Sequence, residues 1–183
     1  MKILRLLFFF LIALGVATAI LSFLQPTSQK IEKSVMIKAS PSDIYEQLKK
    51  LDHFNKFSVW AQQDSSAVYT LKGNDGTVGA TSAWKGDPEI SGEGSITITA
   101  LEPNKKVEHD LIFTRPRKGK AHSSFSLVET ERNNTKVTWT FNLDTPRPWN
   151  IFNLFYSLDK EMGKDFETGL ATLKLLIESS AGR

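Results

Sequence analysis

The sequence contains no cysteine, which removes disulfides, thiolate metal sites, iron–sulfur clusters and cysteine nucleophiles together. Histidine is nearly as scarce. His53, His109 and His122 are scattered, with no H-E-x-x-H spacing and no clustered acids, so neither a metal nor a cofactor is expected. There is no G-x-S-x-G nucleophile elbow, and Gly73-Asn74-Asp75-Gly76 lacks the lysine and following helix of a phosphate loop. An excess of one charge is lacking too. Of 23 Lys and Arg against 20 Asp and Glu, Lys2 and Arg5 lie at the start of an apolar N-terminal run, so the remainder is close to neutral. The pI of about 9.0 therefore comes largely from that flank, and no nucleic-acid partner is expected. Internal repeats and low-complexity segments are absent, and nothing in the sequence sets an oligomeric state.

What is present begins with that apolar run. From Ile3 to Leu24 the only charge is Arg5, and about 20 such residues at ~1.5 Å each span a bilayer core. Residues 1–25 are read as a transmembrane anchor, with residues 3–24 as the membrane contact. A cleaved signal peptide is the alternative, because Lys2 and Arg5 make a basic n-region and Ala17-Thr18-Ala19 is an A-x-A-like site. Ile20, Leu21, Phe23 and Leu24 continue past that site, which favours retention. The flanking charges barely decide orientation, with Lys2 and Arg5 before the span and Lys30, Lys33 and Lys38 after it; a short basic N-terminus ahead of one span favours the following domain on the outer side of a single-pass membrane protein.

Residues 26–30 read as a polar link. Ile31 to Ala39 then alternates as a first strand, and Ser40-Pro41 with Asp43 opens a short helix carrying Ile44, Tyr45, Leu48 and Leu51. Phe54, Phe57 and Trp60 mark a second short helix or turn. From Ala67 the period becomes two, with strands expected near 67–72, 78–85, 90–101, 105–114, 120–131 and 135–144, separated by turn residues. The period returns to 3.6 from about Trp149 to Ser179, with Phe152, Phe155, Met162, Phe166, Leu170, Leu173 and Ile177 on one stripe. An α+β fold follows: an open antiparallel sheet with one apolar face, covered by a long C-terminal helix.

That order resembles the helix-grip fold of the START-like superfamily, and more specifically its SRPBCC, polyketide cyclase/dehydrase-like branch in bacteria. The resemblance rests on Ile37-Lys38-Ala39-Ser40-Pro41-Ser42-Asp43-Ile44-Tyr45, on Val78-Gly79-Ala80 leading to Trp84, on Gly92-Glu93-Gly94, and on Gly163-Lys164-Asp165-Phe166-Glu167-Thr168-Gly169-Leu170. It implies a helix-grip domain over 31–181 in a bacterial membrane protein, with a cavity between sheet and helix for sterols, acyl chains or polyketides. It implies little about catalysis, and no family catalytic motif is matched.

Two ionisable residues fall on apolar faces. Asp159 lies on the stripe of the last helix, and His109 sits between Val107 and Leu111 on an alternating strand. A carboxylate there must be paired, wet or protonated. The expectation is an Asp159–His109 pair in a ligand-binding cavity bordered by Trp84, Phe113, Trp139, Phe155 and Met162, acting as polar anchor or general acid/base, against the plainer readings of a core fastening or the edge of a solvent-filled cleft. The tryptophans read equally as packing. Arg115, Arg117, Lys118 and Lys120 form a basic hairpin tip, either a solvated turn or a contact for anionic headgroups. Three functions remain open: tethered binding of a hydrophobic small molecule, a cyclase or hydratase using Asp159 and His109, and a membrane-anchored interaction module.

Overall fold

The computed structural model describes residues 2–181; Met1, the first residue of the expected anchor, lies outside them. Helix α1 (Lys2–Leu24) is 23 residues long with a mean hydropathy of 2.6 over its most apolar window, long and apolar enough to cross a membrane. Strand β1 (Ser28–Ile37) follows, beginning three residues before Ile31, because β7 (Asn134–Asp144) runs far enough to pair Ser28 with Asp144.

The Ser40 side chain accepts from the Asp43 amide at 3.2 Å and Pro41 fills the first turn of α2 (Pro41–Leu48), as the sequence predicts. Two short helices, α3 (Leu51–Phe54) and α4 (Val59–Gln63), lead to β2 (Val68–Lys72) and β3 (Thr81–Lys85). Strand β3 starts later than the alternation suggests because Gly79 takes a left-handed φ of 92°. Then come β4 (Glu93–Glu102), β5 (Lys106–Arg115), β6 (Gly119–Glu131) and β7. All neighbours are antiparallel in the order β1-β7-β6-β5-β4-β3-β2, so the first strand closes onto the last.

The long helix α5 (Leu158–Ala181) lies across the inner face of this sheet, the helix-grip arrangement. Leu158, Phe166, Leu170, Leu173 and Ile177 are buried on it in the core, where the Phe166 ring packs against Trp139 and Phe141. The expected start near Trp149 is corrected. Trp149–Leu154 is a separate 3-10 helix, and α5 begins at Leu158. With three residues per turn, Asn150 and Asn153 share one face while Trp149, Phe152 and Phe155 share another. Asn150 is fully buried against the end of α1, whereas Phe152 and Phe155 are 60% and 86% exposed. The aromatic positions counted into a 3.6-residue stripe therefore point away from the sheet.

Candidate functional site

A cavity of about 240 Å³ opens between the sheet, α4 and the N-terminal half of α5. Its walls carry Trp60, Tyr69, Trp84, Phe113, Trp139, Phe141 and Phe166, with Ile90, Ile96, Leu111 and Met162 between the rings. Residues of β3, β5 and β7 reach it because alternate side chains share the sheet's inner face. Close backbone approach is needed at one point. Gly94 faces Trp84 across the β3–β4 pair, and a Cβ there would sit 2.6 Å from the Trp84 ring and 2.5 Å from the Ile112 carbonyl oxygen. Glycine lets the indole lie across β4 and form one wall.

The polar groups in these walls are neutral: Asn55, Ser58, Ser82, Ser91, Ser123 and the Tyr69 hydroxyl. Ser123 Oγ accepts from Trp139 Nε1 at 2.9 Å, leaving its own proton for an acceptor in the cavity. Burial, with the Asp64 carboxylate nearby, pushes the Tyr69 pKa up and keeps this phenol protonated. Among the described residues no charged side chain lines the cavity.

The rim is fastened by a charge just outside. Asp64, buried at the end of α4, accepts from Ser66 N at 3.0 Å, Ser66 Oγ at 2.6 Å, Asp87 N at 2.8 Å and Ser91 Oγ at 2.5 Å. These donors, the two serine hydroxyls first, lower its pKa to about 2. Trp84 Nε1 donates to the Ser91 carbonyl at 2.9 Å. One carboxylate and one indole thus hold the β3–β4 loop over the cavity mouth.

Of the residues expected at the site, Trp84, Phe113, Trp139 and Met162 border the cavity; Phe155, Asp159 and His109 do not. Phe155 lies outside because of the 3-10 segment. Asp159 meets Lys33 of the edge strand β1 instead, at 3.2 Å, and its side chain is 52% exposed. His109 lies on β5, three strands from β1 in the order β1-β7-β6-β5, roughly 14 Å at ~4.8 Å per strand. Among the described residues neither of its ring nitrogens has a protein hydrogen-bond partner; it is buried beside Phe54 and Phe125. The expected pair does not form, and burial lowers the His109 pKa to about 4, keeping the ring neutral.

Ser82, Ser123, Tyr69 and Asp64 belong to no motif in the sequence. A signal for two of them lies in the alternation, which sets Ser82 in phase with Trp84, and Ser123 between Ala121 and Phe125.

A family described as polyketide cyclase/dehydrase and lipid transport matches residues 28–178. The chain belongs to this family. Similar solved structures include norcoclaurine synthase from Thalictrum flavum in complex with dopamine and hydroxybenzaldehyde, at TM-score 0.62 and 13% identity, covering 87% of this chain and 92% of that one. The Aha1 dimer from Colwellia psychrerythraea is similar at TM-score 0.53 and 23% identity, covering 79% and 92%. A Chromobacterium violaceum protein is similar at TM-score 0.58 and 12% identity, covering 82% and 97%. At these identities the structures share the fold alone with this polyketide cyclase/dehydrase and lipid transport family member. No curated protein sequence matches it.

Proposed function

We propose that this chain is a membrane-tethered binder of a compact, uncharged hydrophobic molecule held in the cavity between sheet and α5. The observation that carries this reading is the composition of the walls: aromatic rings, aliphatic side chains and neutral hydroxyls, with no charged side chain among the described residues. An ionised ligand would lose its hydration without gaining a counter-charge. A volume of about 240 Å³ falls just below the ~300–1,000 Å³ of drug-sized pockets, which favours a small ring system or short chain over a sterol. The hydroxyls of Ser82, Ser123 and Tyr69 would orient one polar group of such a ligand. The anchor is α1, with Lys2 and Arg5 on the cytoplasmic side and residues 31–181 outside.

Catalysis by Asp159 and His109 has no support in their separation, and an interaction module would more simply have a filled core. The test is native mass spectrometry of the full chain released gently from its host membrane. A neutral bound species, absent from Ser82→Leu, is expected on a chain that retains residues 1–19. A chain beginning near Ile20, recovered as soluble protein, would contradict the tether; an anionic bound species would contradict the site.

A further inference from the structure

The end of α1 is built into the domain. Its last carbonyls have no partner within the helix, and the segment after β7 supplies them. Asn150 Nδ2 donates to Ser22 O at 2.7 Å and to Gln25 O at 3.0 Å, and Arg147 Nε donates to Ser22 O at 3.1 Å. The Ser22 hydroxyl donates to Asn150 Oδ1 at 2.7 Å, and the Arg147 guanidinium lies 4.9 Å from the centre of the Phe23 ring. These contacts fix the depth of the 3-10 segment at the level of the last turn of α1. Its opposite face, Trp149, Phe152 and Phe155, is 61%, 60% and 86% exposed, and the Trp149 and Phe152 rings are stacked.

The sheet register brings a second feature to the same end. Ser28 pairs with Asp144, Leu143 with Ala121, Phe113 with Gly119, and Glu93 with Arg115. The tip of the β5–β6 hairpin therefore projects beside the end of the anchor. Arg115 is 3.6 Å from Glu93, whereas Arg117, Lys118 and Lys120 are exposed and make no ion pair among the described residues. Asp87 and Glu89 lie on the adjacent β3–β4 loop. That loop also carries Ile90, a cavity-wall residue that is 43% exposed.

We infer that Trp149, Phe152 and Phe155, with the basic hairpin tip, form a docking face for an anionic phospholipid bilayer that holds the cavity mouth against the membrane. This rests on the tethered reading of α1. Aromatic side chains concentrate at the membrane interface, which is the depth the Asn150 contacts impose. Cationic residues beside them match an anionic headgroup layer. A ligand could then pass between acyl chains and cavity along the Ile90 rim.

The test reconstitutes the full chain into phosphatidylcholine vesicles, with and without phosphatidylglycerol, containing lipids brominated near the carbonyl end of their chains. Tryptophan quenching is read after an alkaline carbonate wash. The account predicts a carbonate-resistant chain that is quenched, with most of the quenching lost in Trp149→Phe. Arg117→Glu with Lys118→Glu should reduce quenching about twofold on phosphatidylglycerol vesicles and leave it unchanged on phosphatidylcholine alone. Phe155→Ser should reduce it on both. A carbonate-resistant chain whose Trp149 is unquenched overturns the docking face and leaves the tether standing. If that Trp149 is also shielded from acrylamide, a second copy of this chain covers the face instead. A chain released by carbonate overturns both.

Discussion

Lys33 of β1 reaches across to Asp159 of α5, 3.2 Å away, and its ammonium also lies 2.9 Å from Glu167 two helical turns along. The lysine stem runs over Gly163, where a Cβ would lie 2.8 Å from Asp159 Oδ1 and 3.0 Å from Lys33 Cε. This clamp joins the edge strand to the helix and accounts for the carboxylate on the apolar stripe.

A helical glycine exchanged for alanine ordinarily gains about 1 kcal/mol. Gly163→Ala should show no such gain, because the new methyl group displaces the ion pair. In an Asp159→Ala background the gain should return. Urea denaturation of the four proteins measures this, and a full gain in the wild-type background would show the clamp to be irrelevant.

His109 is a buried imidazole whose two nitrogens meet no protein hydrogen-bond partner among the described residues. Its pKa of about 4 lies below the ~6.5 of an unfolded chain, so the unfolded state binds the proton first as pH falls. Stability should be complete above about pH 6.5 and decline by on the order of 3 kcal/mol as pH falls to about 4. His109→Leu should remove this part of the pH dependence and cost little at pH 7, since the ring makes no hydrogen bond to a protein group among the described residues. Denaturation midpoints at pH 7 and pH 5 check it; equal pH sensitivity in both proteins would refute it.

Asp64 titrates with the same consequence for a different reason. Its carboxylate is held at about 2, below the ~3.9 of a free aspartate, so its contribution is present above about pH 4 and lost as pH falls through 2. Asp64→Asn removes the charge and one of the two accepting oxygens. Amide exchange at Asp87 and Ser66 should quicken in the variant at neutral pH, while exchange in β6 stays slow. Unchanged exchange at Asp87 would mean that the loop is held by Trp84 alone.

Ser82 projects into the cavity, so Ser82→Leu should fill part of it. Thermal denaturation of the ligand-free protein should show stability preserved or raised, and binding of a ring-bearing probe should be lost. Loss of stability would indicate that the wall cannot accept the larger side chain.

Most of the sheet is legible in the sequence because period-two alternation and turn residues agree from Val68 to Asp144, and the Ser40-Pro41 cap is local chemistry. The 3-10 segment was concealed by a coincidence of periods. Trp149-Asn150, Phe152-Asn153 and Phe155 repeat every three residues, yet Phe152 and Phe155 also fit a helical stripe that continues to Ile177. Only the bonds from Asn150 to the end of α1 decide between them. His109 lies on the inner face, as its alternation predicts, whereas Asp159 stands half exposed beside Lys33 of the edge strand. Their distance apart depends on strand order, and alternation within a strand carries no information about it.

A cavity walled by rings, aliphatic side chains and neutral hydroxyls should prefer an uncharged ligand. Calorimetric titration of the full chain in detergent with 2-naphthol and with 2-naphthoate measures it directly, since the two share a ring system and differ in charge. The account predicts that the phenol binds at least about tenfold tighter, a difference of about 1.4 kcal/mol, and that Ser82→Leu abolishes its binding. Equal or tighter binding of the carboxylate, surviving in Ser82→Leu, would contradict it.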